Sequence, residues 1–211
     1  KFDEVVVARA AEFAAAAPRD AKGISLGPLE RTISDDGSVA YSLVEVAVDR
    51  DARTATITLN GPDGPAPADM DAVHALGDQA YMLKLVREFE DAILHLRLNE
   101  MACGLWTLRT QGDSELLAAH EAVLRDNADH WLAQEIRTYW KRTLKRVDVT
   151  SRSLVTLVEH GSCFAGMLAE LIWAADRSYM MEDEFEGDNR PMAAITLTPD
   201  NFGTYLMGNG L

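Results

Sequence analysis

Cysteine is almost absent from this chain. Two thiols in 211 residues, Cys103 and Cys163, stand far apart. That count excludes a disulfide framework and offers no zinc-type spacing, and it suits a reducing compartment, the cytoplasm. No apolar run is long enough to cross a bilayer, so a membrane is not an expected partner. A secretory leader is not expected either: Lys1 is followed closely by Asp3 and Glu4, and Val5, Val6 and Val7 are too short an apolar core. Basic residues are scarce, with 20 Lys and Arg against 34 Asp and Glu, a formal charge of −14. Such a chain repels phosphate backbones and anionic lipid, which excludes nucleic acid as a main partner. The acidic run 182–188 (EDEFEGD) departs from calcium-loop spacing, so no metal is expected there. No internal repeat is visible.

What is present reads as one globular domain with a sizeable core, 47% hydrophobic and 26% charged. Residues 2–17 have helical spacing, ended by Pro18 and a glycine-containing loop. Residues 41–48 and 53–59 alternate with a period of two and predict a hairpin, with Ala55, Ile57 and Leu59 inward. A Pro/Gly loop, 61–67, leads to one long helix over 70–99. His74 and His95 in that helix have no partner at metal spacing and read as packing or surface residues. A strand at 105–109 precedes a helix over 114–123 capped by Ser114. Another helix runs over 129–146, capped by Asp129, with Trp131, Leu132, Ile136, Tyr139, Trp140 and Leu144 on its apolar side. Its other side carries the basic patch 137–146 (RTYWKRTLKR), which reads as a solvated helix face. Strands are also predicted at 177–181 and 193–197, with an incomplete tail over 198–211. The alternation of strands and helices is that of an α/β protein.

The remaining stretch, 153–176 (SLVTLVEHGSCFAGMLAELIWAAD), reads as a buried strand, a turn holding Gly161 and Gly166, and an apolar helix ending near Asp176. A glycine turn that feeds a helix start can hold an anion or oxyanion. Cys163 lies in that turn. It is a candidate proton donor or nucleophile if the helix lowers its pKa, and otherwise a small buried thiol.

The order of elements, with His160-Gly161-Ser162-Cys163-Phe164-Ala165-Gly166, then Ala169-Glu170-Leu171 and Asp176, resembles the crotonase (enoyl-CoA hydratase/isomerase) superfamily. Five stretches, 88–94, 108–113, 129–131, 151–154 and 161–166, are similar to the second half of a double-length branch that opens the ring of oxygenated benzoyl-CoA. The resemblance implies an α/β, crotonase-like spiral of ββα units, with the C-terminal closing helices missing from this chain. It places an upstream helix and linker at 1–40 and the crotonase-like domain at 41–211. It also implies an excised piece of a cytosolic homodimeric acyl-CoA lyase, without metal or redox cofactor, whose product is a semialdehyde plus formate.

The resemblance further implies two backbone N–H donors for a thioester enolate and two carboxylates for proton transfer. Gly166 matches one donor. The other donor's Phe-x-Ala-Gly-x-Asp turn is replaced by Thr110-Gln111-Gly112-Asp113. Glu170 matches the first acid but is one residue late, about 100° around the helix. Counting back four from Gly203 for the second acid gives Pro199, with Asp200 one residue off. The expectation is therefore a scaffold half paired with an upstream catalytic half. The alternatives are an independently active acyl-CoA hydratase or isomerase, with Glu170 and Cys163 as candidates, and a coenzyme A module whose Lys141 and Lys145 contact the phosphates.

Overall fold

The computed structural model describes residues 1–16, 23–182, 187 and 189–204. The acidic positions 183–186 and 188, Pro18 with its neighbours, and the tail 205–211 lie outside the described residues. Nine strands and six α-helices occur among those described. Seven strands form one sheet in the order β1 (Thr32–Ile33), β2 (Val39–Ala40), β3 (Val44–Asp49), β4 (Thr54–Asn60), β5 (Leu105–Gln111), β6 (Ser153–Val158) and β8 (Arg177–Met180). The first four pair antiparallel and the last four parallel. A two-stranded parallel sheet joins β7 (Phe164–Ala165) to β9 (Ile195–Thr196).

The helices lie between the parallel strands in sequence, as parallel pairing requires. After β4 come α2 (Met70–Leu76) and α3 (Tyr81–Leu98); after β5 come α4 (Ser114–Asp126) and α5 (Trp131–Asp148). After β6 and β7 comes α6 (Gly166–Ala174). The repeating ββα units, β3–β4–α2/α3 and β6–β7–α6, bracket one βαα unit. This is the mixed α/β architecture that the alternation predicts.

Strand alternation sets the core. Ala55, Ile57 and Leu59 of β4 are buried, while the threonines between them are not. Trp106 and Leu108 of β5 and Leu154 and Val158 of β6 continue the same face. Against it pack Leu85, Val86, Phe89, Ile93 and Leu96 of α3, spaced at helical intervals. Phe89 meets Trp140 of α5 with ring centroids 6.4 Å apart. The Trp140 indole N–H donates to the Met82 carbonyl at 2.9 Å, so α5 is tied to the start of α3 by a buried hydrogen bond.

Four expectations need correction. The helix over 70–99 is broken: α2 stops at Gly77, whose φ of 58° leaves helical space, and a 3₁₀ turn (Gly77–Gln79) precedes α3. The cap of α4 is Asp113, whose carboxylate accepts from Glu115 N and Leu116 N, and not Ser114. The cap of α5 is His130, whose Nδ1 accepts from Leu132 N, and not Asp129. Finally, the expected linker up to residue 40 is part of the body. β1 and β2 belong to the main sheet, Val39 is buried, and Gly27 is held by Asp78 and Arg87 at 2.7 and 2.6 Å. The boundary at 41 therefore falls inside the sheet. α1 (Phe2–Ala16) has no buried residue.

Trp140→Phe removes the buried indole donor and part of the core volume. It should lower stability by about 2 kcal/mol in urea unfolding, with the m-value unchanged.

Candidate functional site

The parallel strands β4, β5 and β6 end together, and the carboxyl ends of such strands are where open α/β sheets bind ligands. Here those ends are interlocked by backbone. Gly61 N donates to Gln111 O at 2.7 Å, Gly112 N donates to Gly161 O at 2.9 Å, and Cys163 N donates to Thr110 Oγ1 at 2.9 Å. The N–H groups of Gly61, Gly112 and Cys163 are thus spent within the chain. The Cys163 side chain is fully buried beside Gly61 and Gly112. Burial pushes its thiol up to about 11, opposed by hydrogen bonding around Thr110. The lowered pKa expected from the nearby helix is not what this environment produces, because apolar burial outweighs the helix field.

From β7 the chain enters α6 at Gly166, with φ of 46°. The first amides of a helix have no partner within it. Met167 N finds one on another helix: it donates to Glu121 Oε1 of α4 at 2.9 Å. The other oxygen of Glu121 accepts from Thr198 Oγ1 at 2.7 Å. A Cβ at position 166 would overlap the Glu121 carboxylate. Gly166 therefore leaves room for a carboxylate that the chain itself supplies, at the position where the resemblance implies a substrate oxyanion. Glu121 is 2% exposed. Burial, above all, raises its pKa from the ordinary 4.5 to about 7; Asp200 adds to this, while Thr198, Met167 N–H and Arg125 oppose it.

Glu170, one turn further along α6, is 1% exposed and accepts from Asn201 Nδ2 at 2.7 Å. The same amide donates to Gly166 O at 2.8 Å. Asp200, also 1% exposed, receives Arg125 and Arg137, each at 3.4 Å. The structure thus brings Gly166, Glu170 and Asp200 into one neighbourhood through Asn201 and the turn that follows β9. It adds Glu121, Thr198, Asn201 and Arg125, which sequence reading missed. One signal for Glu121 is present: it shares the buried stripe of α4 with Leu117 and Leu124.

Cys163 lies at the strand ends, while Lys141 and Lys145 sit on the exposed side of α5. Lys145 is 3.7 Å from Asp148. The patch 137–146 is only partly a solvated face, because three of its arginines pair with acids. Arg137 faces Asp200, and Arg142 and Arg146 reach Glu90 at 3.2 and 3.0 Å. An open cavity of about 570 Å³ lies beside the end of β4, lined by Pro62, Pro65, Leu76, Tyr81 and His120. Its charged lining residue is Asp63, and neither Lys nor Arg lines it, so it offers nothing to hold a phosphate. Burial lowers the His120 pKa, so its imidazole is neutral around pH 7. Among the described residues no group of three or more His, Cys, Asp or Glu could hold a metal ion, and no helix is long and apolar enough to cross a membrane.

No family model matches the chain. It is 42% identical to benzoyl-CoA-dihydrodiol lyase of Aromatoleum evansii in an alignment of 213 positions that covers the whole of this chain. The chain is a relative of that lyase. It spans 37% of the lyase's length. Among solved structures, an enoyl-CoA hydratase from Geobacillus kaustophilus is 18% identical, with 82% of this chain and 55% of that one covered and a TM-score of 0.49. Pseudomonas aeruginosa DspI is 17% identical, with 84% and 59% covered and a TM-score of 0.48. The similarity to benzoyl-CoA-dihydrodiol lyase agrees with the resemblance read from the five sequence stretches.

Two outcomes test the closed helix end. Gly166→Ala should cost about 3 kcal/mol by urea unfolding, and Glu121→Ala in the same chain should recover part of it, giving a non-additive double-mutant cycle. The second concerns pH. A carboxyl whose folded pKa lies above its unfolded one contributes stability in full below pH 4.5, and the contribution is lost as pH rises through about 7. Between pH 4.5 and 8 the unaltered chain should lose about 3 kcal/mol more than Glu121→Gln, followed by urea titration at each pH.

Proposed function

We propose that this chain is the scaffold part of a longer ring-opening acyl-CoA lyase and that its own fold carries out no chemistry. The full protein would act on an oxygenated benzoyl-CoA, the 2,3-epoxide or dihydrodiol. It would release formate and 3,4-didehydroadipyl-CoA semialdehyde in aerobic benzoate degradation, without metal or redox cofactor. The active site would lie in an upstream half, within a cytoplasmic homodimer. The observation that carries this reading is the Glu121 carboxyl group packed against Gly166 and accepting from Met167 N: the space at the entrance of α6, which a substrate oxygen would need, is filled from within the chain. The identity to benzoyl-CoA-dihydrodiol lyase over only 37% of that protein's length supports the division into parts.

A second reading has one observation in its favour. Glu121 titrates near neutrality, the range in which a carboxyl serves as general acid or base, so an independently active hydratase or isomerase would start from this group. Its two oxygens are, however, both committed within the chain. A coenzyme A module would rest on Lys141 and Lys145 alone.

Formate release from the 2,3-epoxide of benzoyl-CoA separates these readings. The chain alone should release none, and the chain joined to the rest of a full-length lyase should support turnover that Glu170→Gln leaves unchanged. Turnover by the chain alone, abolished by Glu170→Gln, would sink the scaffold reading. Calorimetric binding of benzoyl-CoA that is lost on replacing Lys141 and Lys145 by alanine would instead establish the coenzyme A module.

A further inference from the structure

No residue of α1 is buried among the described residues, whereas α2 to α6 each bury part of one side. Its Phe2, Val5, Val7 and Phe13 are 62 to 80% exposed. Phe2, Val6, Ala10 and Phe13 recur at helical intervals and, at about 100° per residue, fall within roughly 80° of arc. Asp3 and Glu12 flank this apolar stripe on its two sides, and Ala8 lies on the opposite side. Support from within the helix is slight. Arg9 lies over the Phe13 ring at 4.7 Å and pairs with Glu12 at 2.6 Å, both on the surface. Such exposed pairs add little. A helix of this length is marginal in water unless one side is packed. The stripe therefore calls for a surface to cover it.

We propose that α1 is a docking helix, whose Phe2, Val6, Ala10 and Phe13 enter an apolar groove in the rest of the longer lyase. This rests on the reading of the chain as part of such a protein, and not on where its chemistry lies. The chain spans 37% of benzoyl-CoA-dihydrodiol lyase, so most of a protein of that plan lies beyond these residues and can supply the groove. Size decides between a tethered partner and a separate molecule. Two phenylalanines of about 200 Å² each, with a valine and an alanine, offer on the order of 500 Å². A stable complex between free molecules buries about 800 Å² on each partner. The stripe falls short of that for a second copy, which would also bring a further formal charge of −14 to the contact. A part joined through the same backbone is already at high effective concentration, and a short apolar stripe then suffices. The body of this chain has an apolar groove of its own, about 360 Å³, lined by Ile24, Leu83, Trp131, Ile136 and Tyr139, but α1 buries nothing against it. Asp3 and Glu12 beside the stripe set the chemistry of the partner groove, apolar at its floor and basic at its rim.

Hydrogen exchange on the full-length lyase reads the docking directly. The amides of residues 6–15 should exchange at least about a hundredfold more slowly than the same stretch does when unstructured. Val6→Gln combined with Phe13→Gln should return them to within about tenfold of the unstructured rate, because glutamine keeps the helix propensity and removes the stripe. Ala8→Gln should leave the protection in place. The Ile57 and Leu108 amides should stay unmoved in every variant, which shows that the body is folded. Dilution to monomers, followed by sedimentation, should leave the result unchanged. Several outcomes would each overturn the docking helix: unprotected residues 6–15 in the unaltered lyase, protection that survives the double substitution, an equal loss in Ala8→Gln, or core amides moving in step with α1. Protection lost on dilution would place α1 against a second copy and overturn it as well. Formate release keeps the two readings apart. A lyase that turns over with α1 unprotected sinks the docking alone, whereas turnover by this chain alone sinks the scaffold reading and leaves the exchange result standing.

Discussion

A carboxyl group seated on an amide in the first turn of a helix organises the middle of this protein. Glu121 leaves water to reach Met167 N, and that desolvation is costly for any charge. The helix field, one backbone N–H and one hydroxyl offset part of it, and the remainder appears as the upward displacement of its pKa to about 7. In return, one side chain joins α4 to α6 and to the segment after β9. Those elements come from residues 46 and 77 positions apart, so the contact closes large loops in the chain.

The deployment of arginine follows from the same problem. With 34 acidic residues against 20 basic ones, the arginines are drawn to some of the buried acids. Arg125 and Arg137 go to Asp200, Arg142 and Arg146 to Glu90, and Arg50 to Glu100. Each fork is more useful inside the fold than on a phosphate outside it. The basic run of α5 therefore gives a misleading picture in one dimension. Its arginines mostly neutralise the protein's own acids, and its lysines are left on the outer face.

Where a signal is local, the residues state it plainly. The alternation Ala55, Ile57, Leu59 fixes the inward face of β4, and the apolar spacing of α3 and α5 fixes which sides pack. Helix ends are less legible because neighbouring residues compete for the cap: Asp113 stands beside Ser114, and His130 beside Asp129, and backbone geometry decides between them. Gly77 shows a similar limit, since a helical pattern tolerates a glycine until its φ turns positive. Motif counting brings Glu170 and Asp200 to the right neighbourhood, although both are a residue out of register. Glu121 is illegible for a different reason. Nothing within α4 tells that an acid on its buried stripe will meet an amide 46 residues away.

Gly166 shows why a preserved glycine turn is poor evidence for chemistry. A residue without Cβ at a helix entrance makes room for something that approaches the backbone closely, and the sequence does not say what. In an open site the visitor is a substrate oxygen. Here it is the Glu121 carboxylate, and an alanine would still collide with it. The constraint on position 166 is therefore the same whether the site binds a substrate or is filled from within. What distinguishes the two is the second partner. A transition-state donor must lie open and converge with another free N–H on one point, whereas Met167, Gly112, Gly61 and Cys163 all donate to groups of this chain. The strand–turn–helix at the centre of the fold is held by the hydrogen bonds that a working site would have to leave unmade.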